Sequence, residues 1–157
     1  PLTLSTTSIT LSGSILRYDE FRIMKEHTTK GCEILNLLDL QEKNEYFQYC
    51  YNICRYHHEK WDGMGYPDGL QGDDIPICAQ VVSVADCYDA LTSDRPYKAG
   101  IPHKQAVEMI KNGACGAFSE KLMECFNLVL PQFEELARIY ADKAHIDKNN
   151  QTKEDRK

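Results

Sequence analysis

Apolar side chains recur every three to four positions along most of this chain, which is the spacing of a helix that buries one face. In the stretch 44–60, Phe47, Cys50, Cys54 and His57 fall on one such face. No segment shows a convincing alternation of the kind expected for a ladder of strands. The pattern therefore predicts an all-α fold, with helices over residues 18–38, 44–60, 76–93 and 102–113 and a long helix from 119 onward.

Glycine and proline indicate where the predicted helices begin and end. Residues 61–75 contain four glycines and Pro67, so we predict a loop there. Pro76 and Pro102 suit the first turn of a helix, because a proline at that position loses no hydrogen bond. Gly113 suits a helix end.

The last predicted helix begins at Ser119, a favourable N-cap residue, and Pro131 should kink or divide it. From position 146 the chain is charged and lacks large apolar residues, so we predict a disordered tail over 146–157. We predict one domain over residues 1–145, which is long enough for a sizeable core. Within it, the Ser- and Thr-rich residues 1–14 show no clear period and are expected to form an irregular or degenerate arm.

The composition is that of an ordinary globular protein, with 42% hydrophobic and 27% charged residues in a chain of 157. A formal net charge of −6 argues against a non-specific binder of nucleic-acid polymers. No apolar run is as long as a membrane span, and no signal peptide is visible. The seven cysteines are odd in number and form no Cys-x-x-Cys pair, so we predict reduced thiols in a cytoplasmic protein.

Four residues on three predicted helices are candidates for one metal site. His27 and His57 lie on the apolar faces of their helices, and His58 follows directly. Asp86 lies in an apolar helical segment, where an ionised carboxylate is costly unless it meets a cation. Imidazole and carboxylate together suit iron, manganese, zinc or nickel. Each histidine taken singly is more often a core residue or a solvated helix end, so the prediction depends on the four together.

Charged residues farther along could bind substrate. Asp89 lies three positions after Asp86 and so faces the same side. It could orient a ligand or contact substrate, and a plain surface charge is equally consistent with the spacing. Arg95 and Lys98 flank Pro96–Tyr97 and could bind phosphate. The alternative is a pair of charges that stabilises a helix C-terminus.

The glycine-rich segment has its own candidates. Gly65 and Pro67 fix a tight backbone that can approach a ligand closely, and Tyr66 would then present its ring to a base or ribose. Any connection between two helices can be glycine-rich, so this observation is weak when taken alone. We expect the neighbouring Glu59 and Asp62 to be solvated charges.

Taken together, these residues resemble the HD-GYP family over most of the chain, from about residue 21 to residue 133. The order and spacing of many positions carry the resemblance. They are Met24-Lys25 with His27, Gly31 and Ile34-Leu35, His57-His58-Glu59, Trp61 to Leu70, Gly72, Ile75-Pro76, Ala85-Asp86, Asp89-Ala90-Leu91 and Arg95-Pro96-Tyr97-Lys98.

The resemblance implies an HD-domain-like helical bundle and a phosphodiesterase that hydrolyses cyclic di-GMP to pGpG or GMP in bacterial signalling. It further implies a cluster of two or three divalent metal ions, usually iron or manganese. By resemblance, the metal ligands would be His27, His57, His58 and Asp86. The substrate would be bound by Gly65, Tyr66, Pro67, Asp89, Arg95 and Lys98.

One departure from the family pattern concerns its defining His-Asp dyad and the lysine that follows it. Residues 1–14, where the dyad would be expected, contain no His, Asp or Lys, and the family's upstream helix is missing as well. The start at Pro1 favours an excised piece, whereas the Ser- and Thr-rich arm favours a natural domain whose dyad has decayed. We therefore leave the catalytic residues unassigned and expect weak or no activity from this chain alone.

Three classes of function stay open at this stage. The first is the metal-dependent phosphodiesterase. The second is a non-catalytic module that binds a cyclic dinucleotide or docks a partner, such as a diguanylate cyclase-type or sensor domain. The third is a purely structural helical module. A homodimer is a further expected assembly, because many signalling proteins with such output domains are dimers.

Overall fold

The computed structural model describes residues 18–37, 44–94 and 99–154. Its helices are α1 (Tyr18–Lys25), α2 (His27–Leu37), α3 (Glu45–Tyr56), α4 (Ile77–Thr92), α5 (His103–Lys111) and α6 (Glu120–Glu154), with a short 3-10 helix at Gly72–Asp74. The described residues contain no β-strand beyond an isolated bridge between Asp62 and Gln71. The predicted all-α fold is therefore confirmed. Residues 1–14, Arg95 and Lys98 lie outside the described residues.

The first predicted helix is divided in two at Glu26. The His27 ring bonds to the carbonyl oxygen of Met24 at 2.7 Å, and the hydroxyl groups of Thr28 and Thr29 donate to the carbonyls of Lys25 and Glu26. Side chains that bond to nearby carbonyls compete with the regular helical pattern. The break therefore follows from local side-chain chemistry that hydrophobic spacing does not register, and it makes His27 the first residue of α2.

Helix α3 begins where Asn44 caps it, since the Asn44 side chain accepts a hydrogen bond from the Phe47 backbone N–H at 2.9 Å. It ends at Tyr56, earlier than the predicted residue 60, and His57 is its C-cap. The following residues turn into the predicted glycine-rich loop. The Tyr66–Pro67 peptide bond in this loop is cis.

Helix α4 follows Pro76 and α5 follows Pro102, as predicted. The helices pack in chain order, α2 on α3, α3 on α4 and α4 on α5. The buried stripe of α4 has helical spacing and supplies much of the core: Ala79, Gln80, Ser83, Val84, Tyr88 and Leu91.

The described chain divides into two compact units, one that ends at Ser119 and one that begins at Glu120. The second unit is α6, in which the rings of Phe126 and Phe133 lie 5.4 Å apart. Pro131 lies inside this helix without dividing it.

Helix α6 also continues to Glu154, beyond residue 145, where we expected ordered structure to end. Backbone hydrogen bonds within a helix need no apolar partner, so a polar sequence can extend a helix that burial has already started. The single domain over 1–145 stays a prediction.

Candidate metal centre

The structure brings three of the four predicted metal ligands together. His27 starts α2, and His57 and His58 follow the end of α3. One ligand atom from each ring lies within 4.8 Å of the others. The Nε2 atoms of His27 and His57 are 3.2 Å apart, although the two residues are 30 positions apart in sequence. The packing of α2 on α3 therefore creates this cluster.

Hydrogen bonds to backbone carbonyls fix the orientation of two of the rings. Nδ1 of His27 lies 2.7 Å from the carbonyl oxygen of Met24, and Nδ1 of His57 lies 2.8 Å from that of Ile53 and 3.1 Å from that of Cys54. A carbonyl only accepts, so Nδ1 carries the proton in both rings. In the neutral rings, Nε2 then presents a lone pair. Two lone pairs 3.2 Å apart repel unless they share a cation, so this donor set fits a metal ion.

The third ring, His58, is held in its neutral form. Burial is the largest cause that lowers the pKa of His58 to about 3, and the nearby His57, His27 and Lys60 lower it further. Metal binding requires the neutral imidazole. The electrostatics of this site therefore keep His58 ready to act as a ligand without loss of a proton.

Tyr66 lies directly against this cluster. Its ring stacks on the His58 imidazole with centroids 4.7 Å apart and planes at 25°. The hydroxyl donates to Sδ of Met24 at 3.8 Å. The Lys25 ammonium lies 4.9 Å from the centroid of Tyr66 and 4.7 Å from that of Phe21. The structure thus places a predicted substrate-binding residue and an unpredicted cation beside the histidines.

Glu59 is not the solvated charge that we expected. It is only 3% exposed, and its carboxylate accepts the backbone N–H groups of Asp68 at 2.7 Å, Gly69 at 3.1 Å and Leu70 at 3.0 Å. A buried carboxylate is stable when several donors satisfy it. A carboxylate directly before a glycine-rich loop is the signal that could have indicated this, because such loops contain N–H groups without helical partners.

A second contact ties the same loop to α3. The Arg55 guanidinium binds the Asp68 carboxylate with two hydrogen bonds, at 2.8 and 2.7 Å. This bond to Asp68 is the main cause that raises the pKa of Arg55. Asp62 is exposed, as predicted, and accepts the N–H of Met64 at 3.0 Å.

Gly65 and Pro67 flank Tyr66 in the loop. A Cβ atom on Gly65 would lie 2.4 Å from Cα of Glu59 and 2.4 Å from N of Lys60. Only a glycine allows the loop backbone to approach the end of α3 so closely. The predicted tight backbone is present, and its partner in this structure is the protein's own chain.

The two predicted aspartates of α4 are exposed. Asp86 is not part of the three-histidine group among the described residues. We predicted apolar surroundings for its carboxylate, and that prediction is wrong because the side chain is exposed. The helical period explains the difference, because the buried stripe of α4 includes positions 84 and 88 but not 86. The Asp86 charge still raises the pKa of Tyr66, after burial as the larger cause, so it lies near that hydroxyl. Asp89 accepts a hydrogen bond from the Ser93 hydroxyl at 2.8 Å.

Lys60 forms a small polar site of its own that the sequence analysis missed. Its ammonium donates to Oγ of Ser83 at 3.0 Å and to Sγ of Cys87 at 3.7 Å, and it lies 4.9 Å from the ring centroid of Phe118. The pKa of Cys87 is lowered to about 7, first by a hydrogen bond with Cys115 and then by the Lys60 charge, against the opposing effect of burial. All seven cysteines are free thiols.

No helix in the described part of the chain is both long and apolar enough to span a membrane. An all-α domain in which three imidazoles converge has the donor arrangement of a helical metal-binding domain.

Comparison with known proteins specifies this class further. The HD domain family model matches residues 6–118, so the chain belongs to the HD domain family. The resemblance predicted from the motifs is confirmed. The chain is 41% identical over 132 residues to a cyclic di-GMP phosphodiesterase of Thermotoga maritima, an alignment that covers 84% of this chain and 34% of that protein.

Two relatives from Vibrio cholerae are also similar. A cyclic di-GMP phosphodiesterase is 36% identical over 138 residues, with 87% of this chain and 28% of the relative covered. A 3′3′-cGAMP-specific phosphodiesterase 2 is 40% identical over 122 residues, with 78% and 22% covered. The chain therefore spans about a third or less of the length of these relatives.

Proposed function

We propose that this chain is a metal-dependent phosphohydrolase-type domain of bacterial cyclic di-GMP signalling, with cyclic di-GMP or a related cyclic dinucleotide as its ligand. The observation that carries the proposal is the convergence of His27, His57 and His58, whose ligand atoms lie within 4.8 Å of one another. The names of the relatives support the class of substrate. The cytoplasmic location, a homodimer and a cyclase-type or sensor partner domain stay predictions.

The three histidines would hold the divalent metal, and we propose Asp86 as a further ligand. Imidazole with carboxylate favours iron or manganese, while zinc and nickel also suit such donors. When bound, the metal supplies Lewis-acid stabilisation of phosphoryl oxygens and lowers the pKa of water. The carbonyl bonds of His27 and His57 hold their free nitrogens toward the site.

The loop and nearby cations would orient the dinucleotide. We propose that Gly65, Tyr66 and Pro67 face the substrate and that Asp89, Arg95 and Lys98 contact its guanine and phosphate groups. The Lys25 ammonium supports this arrangement, since it lies 4.9 Å from the Tyr66 ring that stacks on His58. A phosphate beside the histidines would therefore meet positive charge.

We expect slow turnover by this chain alone. Among the described residues, the metal group consists of three imidazoles without a carboxylate, and residues 1–14 lack the family's His-Asp dyad. The dyad would add a further imidazole and a carboxylate to the metal donors, and the negative charge of that carboxylate would favour binding of a divalent cation.

The test compares cyclic di-GMP and 3′3′-cGAMP as substrates with Mn²⁺ or Fe²⁺ and separates the products by chromatography. We expect slow, metal-dependent formation of linear dinucleotide that His57→Ala abolishes. His103→Gln is the matched control, because His103 lies on α5 and bonds to the Tyr88 hydroxyl instead of the cluster. Product formation that is equal in both variants would contradict the assignment.

A non-catalytic binding module is the second candidate, because the exposed Asp86 lies outside the histidine group. Calorimetry separates the two candidates. Binding of cyclic di-GMP without any product supports the binding module. If the chain neither binds nor hydrolyses cyclic di-GMP, both candidates are excluded.

A further inference from the structure

The three imidazoles of the cluster differ in what orients them. His27 and His57 each bond through Nδ1 to a backbone carbonyl. The His58 imidazole makes no hydrogen bond to another residue in the described part of the chain. Its imidazole is instead stacked on the Tyr66 ring at 4.7 Å and 25°. A ligand that no hydrogen bond holds needs some other contact to keep one orientation.

Tyr66 is itself firmly held. Its backbone N–H donates to the carbonyl of His58 at 3.3 Å, its hydroxyl donates to Sδ of Met24 at 3.8 Å, and the Lys25 ammonium lies 4.9 Å from its ring centroid. These contacts approach the ring from α1 and from the end of α3. The ring therefore has little freedom to turn away from His58.

The Glu59 carboxylate holds the part of the loop that follows Pro67. This carboxylate accepts three consecutive N–H groups, from Asp68 to Leu70, within 3.1 Å. Glu59 directly follows His58 in the chain, so the loop that carries Tyr66 is attached beside the imidazole on which Tyr66 stacks. The bidentate pair of Arg55 and Asp68 fixes the same segment to α3.

We propose that Tyr66 is a positioning residue for the His58 imidazole, and that Glu59 acts through the loop to keep the Tyr66 ring in place. The stacked ring orients the His58 imidazole, as the carbonyl oxygens orient the imidazoles of His27 and His57. This inference rests on the metal site of the proposed function, and it assigns the loop a role beyond contact with substrate.

Two measurements test the proposal on the full chain. The first is the NMR shift of the His58 ring protons in the metal-free protein, which a stacked aromatic ring displaces. The second is the dissociation constant for Co²⁺ or Mn²⁺ by calorimetry. Tyr66→Leu should reduce the ring-current displacement to the part that the His57 and His27 rings cause, at 4.2 and 5.0 Å from His58. It should also weaken metal binding by about tenfold, the usual effect of losing a contact that orients a ligand.

Matched variants distinguish positioning from a general loss of structure. Tyr66→Phe keeps the ring and should retain both the shift and the metal affinity. Tyr49→Leu removes an exposed tyrosine from α3 and should change neither. Glu59→Gln should change both measurements in the direction of Tyr66→Leu, because an amide cannot accept three N–H groups in the same way.

The outcomes also separate this proposal from the proposed function. If the wild-type chain binds no metal, the proposed function fails, while the His58 shifts of Glu59→Gln, which keeps the Tyr66 ring, still show whether Glu59 holds that ring against His58. Unchanged His58 shifts in Tyr66→Leu would overturn the proposal. If Tyr66→Leu does not fold, the same two measurements compare Glu59→Gln with the wild type. Unchanged His58 shifts and an unchanged metal affinity in Glu59→Gln would overturn the role of Glu59.

Discussion

Substitution of Gly65 by alanine should separate the glycine-rich loop from the end of α3. The added Cβ would lie 2.4 Å from both Cα of Glu59 and N of Lys60 and 2.6 Å from C of Glu59. All three atoms belong to the backbone, so no side-chain rotation relieves the overlap. An ordinary contact begins at 3.4 Å, which requires a displacement of about 1 Å from the difference 3.4 − 2.4.

The energetic cost follows from this displacement. Overpacking typically costs about 1–3 kcal/mol, and a backbone obstacle favours the upper half of that range. In urea unfolding with a slope of about 2 kcal/mol/M, Gly65→Ala should lower the midpoint by about 1 M. The same movement would carry Tyr66 away from His58, so metal affinity should fall as well.

Gly113→Ala provides the matched control. Gly113 has φ +75°, and an added Cβ would meet nothing within 4 Å. Its cost is therefore conformational, about 1 kcal/mol, and its midpoint should fall by about half as much with no change in metal affinity. The steric reasoning is refuted if Gly65→Ala lowers the midpoint no more than Gly113→Ala and leaves metal binding intact.

Three other perturbations test the electrostatics. Arg55→Met should lower the free energy of unfolding by about 1 kcal/mol, since its pair with Asp68 is partly exposed, and the loss should shrink in 1 M salt; a salt-independent loss would indicate packing instead. Alkylation of Cys87 by iodoacetamide should follow a pKa of about 7, set by the Cys115 hydrogen bond and by Lys60. Lys60→Met should raise that midpoint, and a rate that still climbs through pH 9 in the wild type would contradict the assignment. The metal-free chain should lose stability as pH falls from 6.5 toward 3, because unfolded His58 binds a proton that the folded ring, with a pKa of about 3, does not. The slope contributed by His58 is at most about 1.4 kcal/mol per pH unit, and His58→Asn should remove it; an identical slope in that variant would refute the burial of this ring.

Much of the fold follows from local pattern. The spacing of apolar residues predicted α3, α4 and α5, and Pro76 and Pro102 marked two helix starts within a residue. The motif around His57 and His58 identified the family that the HD domain model confirms. These inferences succeed because helix formation and the spacing of a motif depend on residue types at short range.

The interruption at Glu26 and the continuation of α6 beyond residue 145 were missed for a different reason. In the first case, side chains of His27 and Thr28 compete for carbonyls that hydrophobic spacing does not consider. In the second, backbone hydrogen bonds continue past the last apolar residue. Both depend on hydrogen-bonding choices with a small energy difference, which composition does not resolve.

The sequence by itself thus predicted the helices, the loop and which three histidines lie together. Tertiary packing alone decided that His27 lies 3.2 Å from His57, that Glu59 is buried against N–H groups nine to eleven positions away, and that Asp86 is exposed. Burial and the distance between remote side chains depend on how helices pack. A linear pattern states which face of each helix is apolar, but not which partner the polar atoms beside that face will meet.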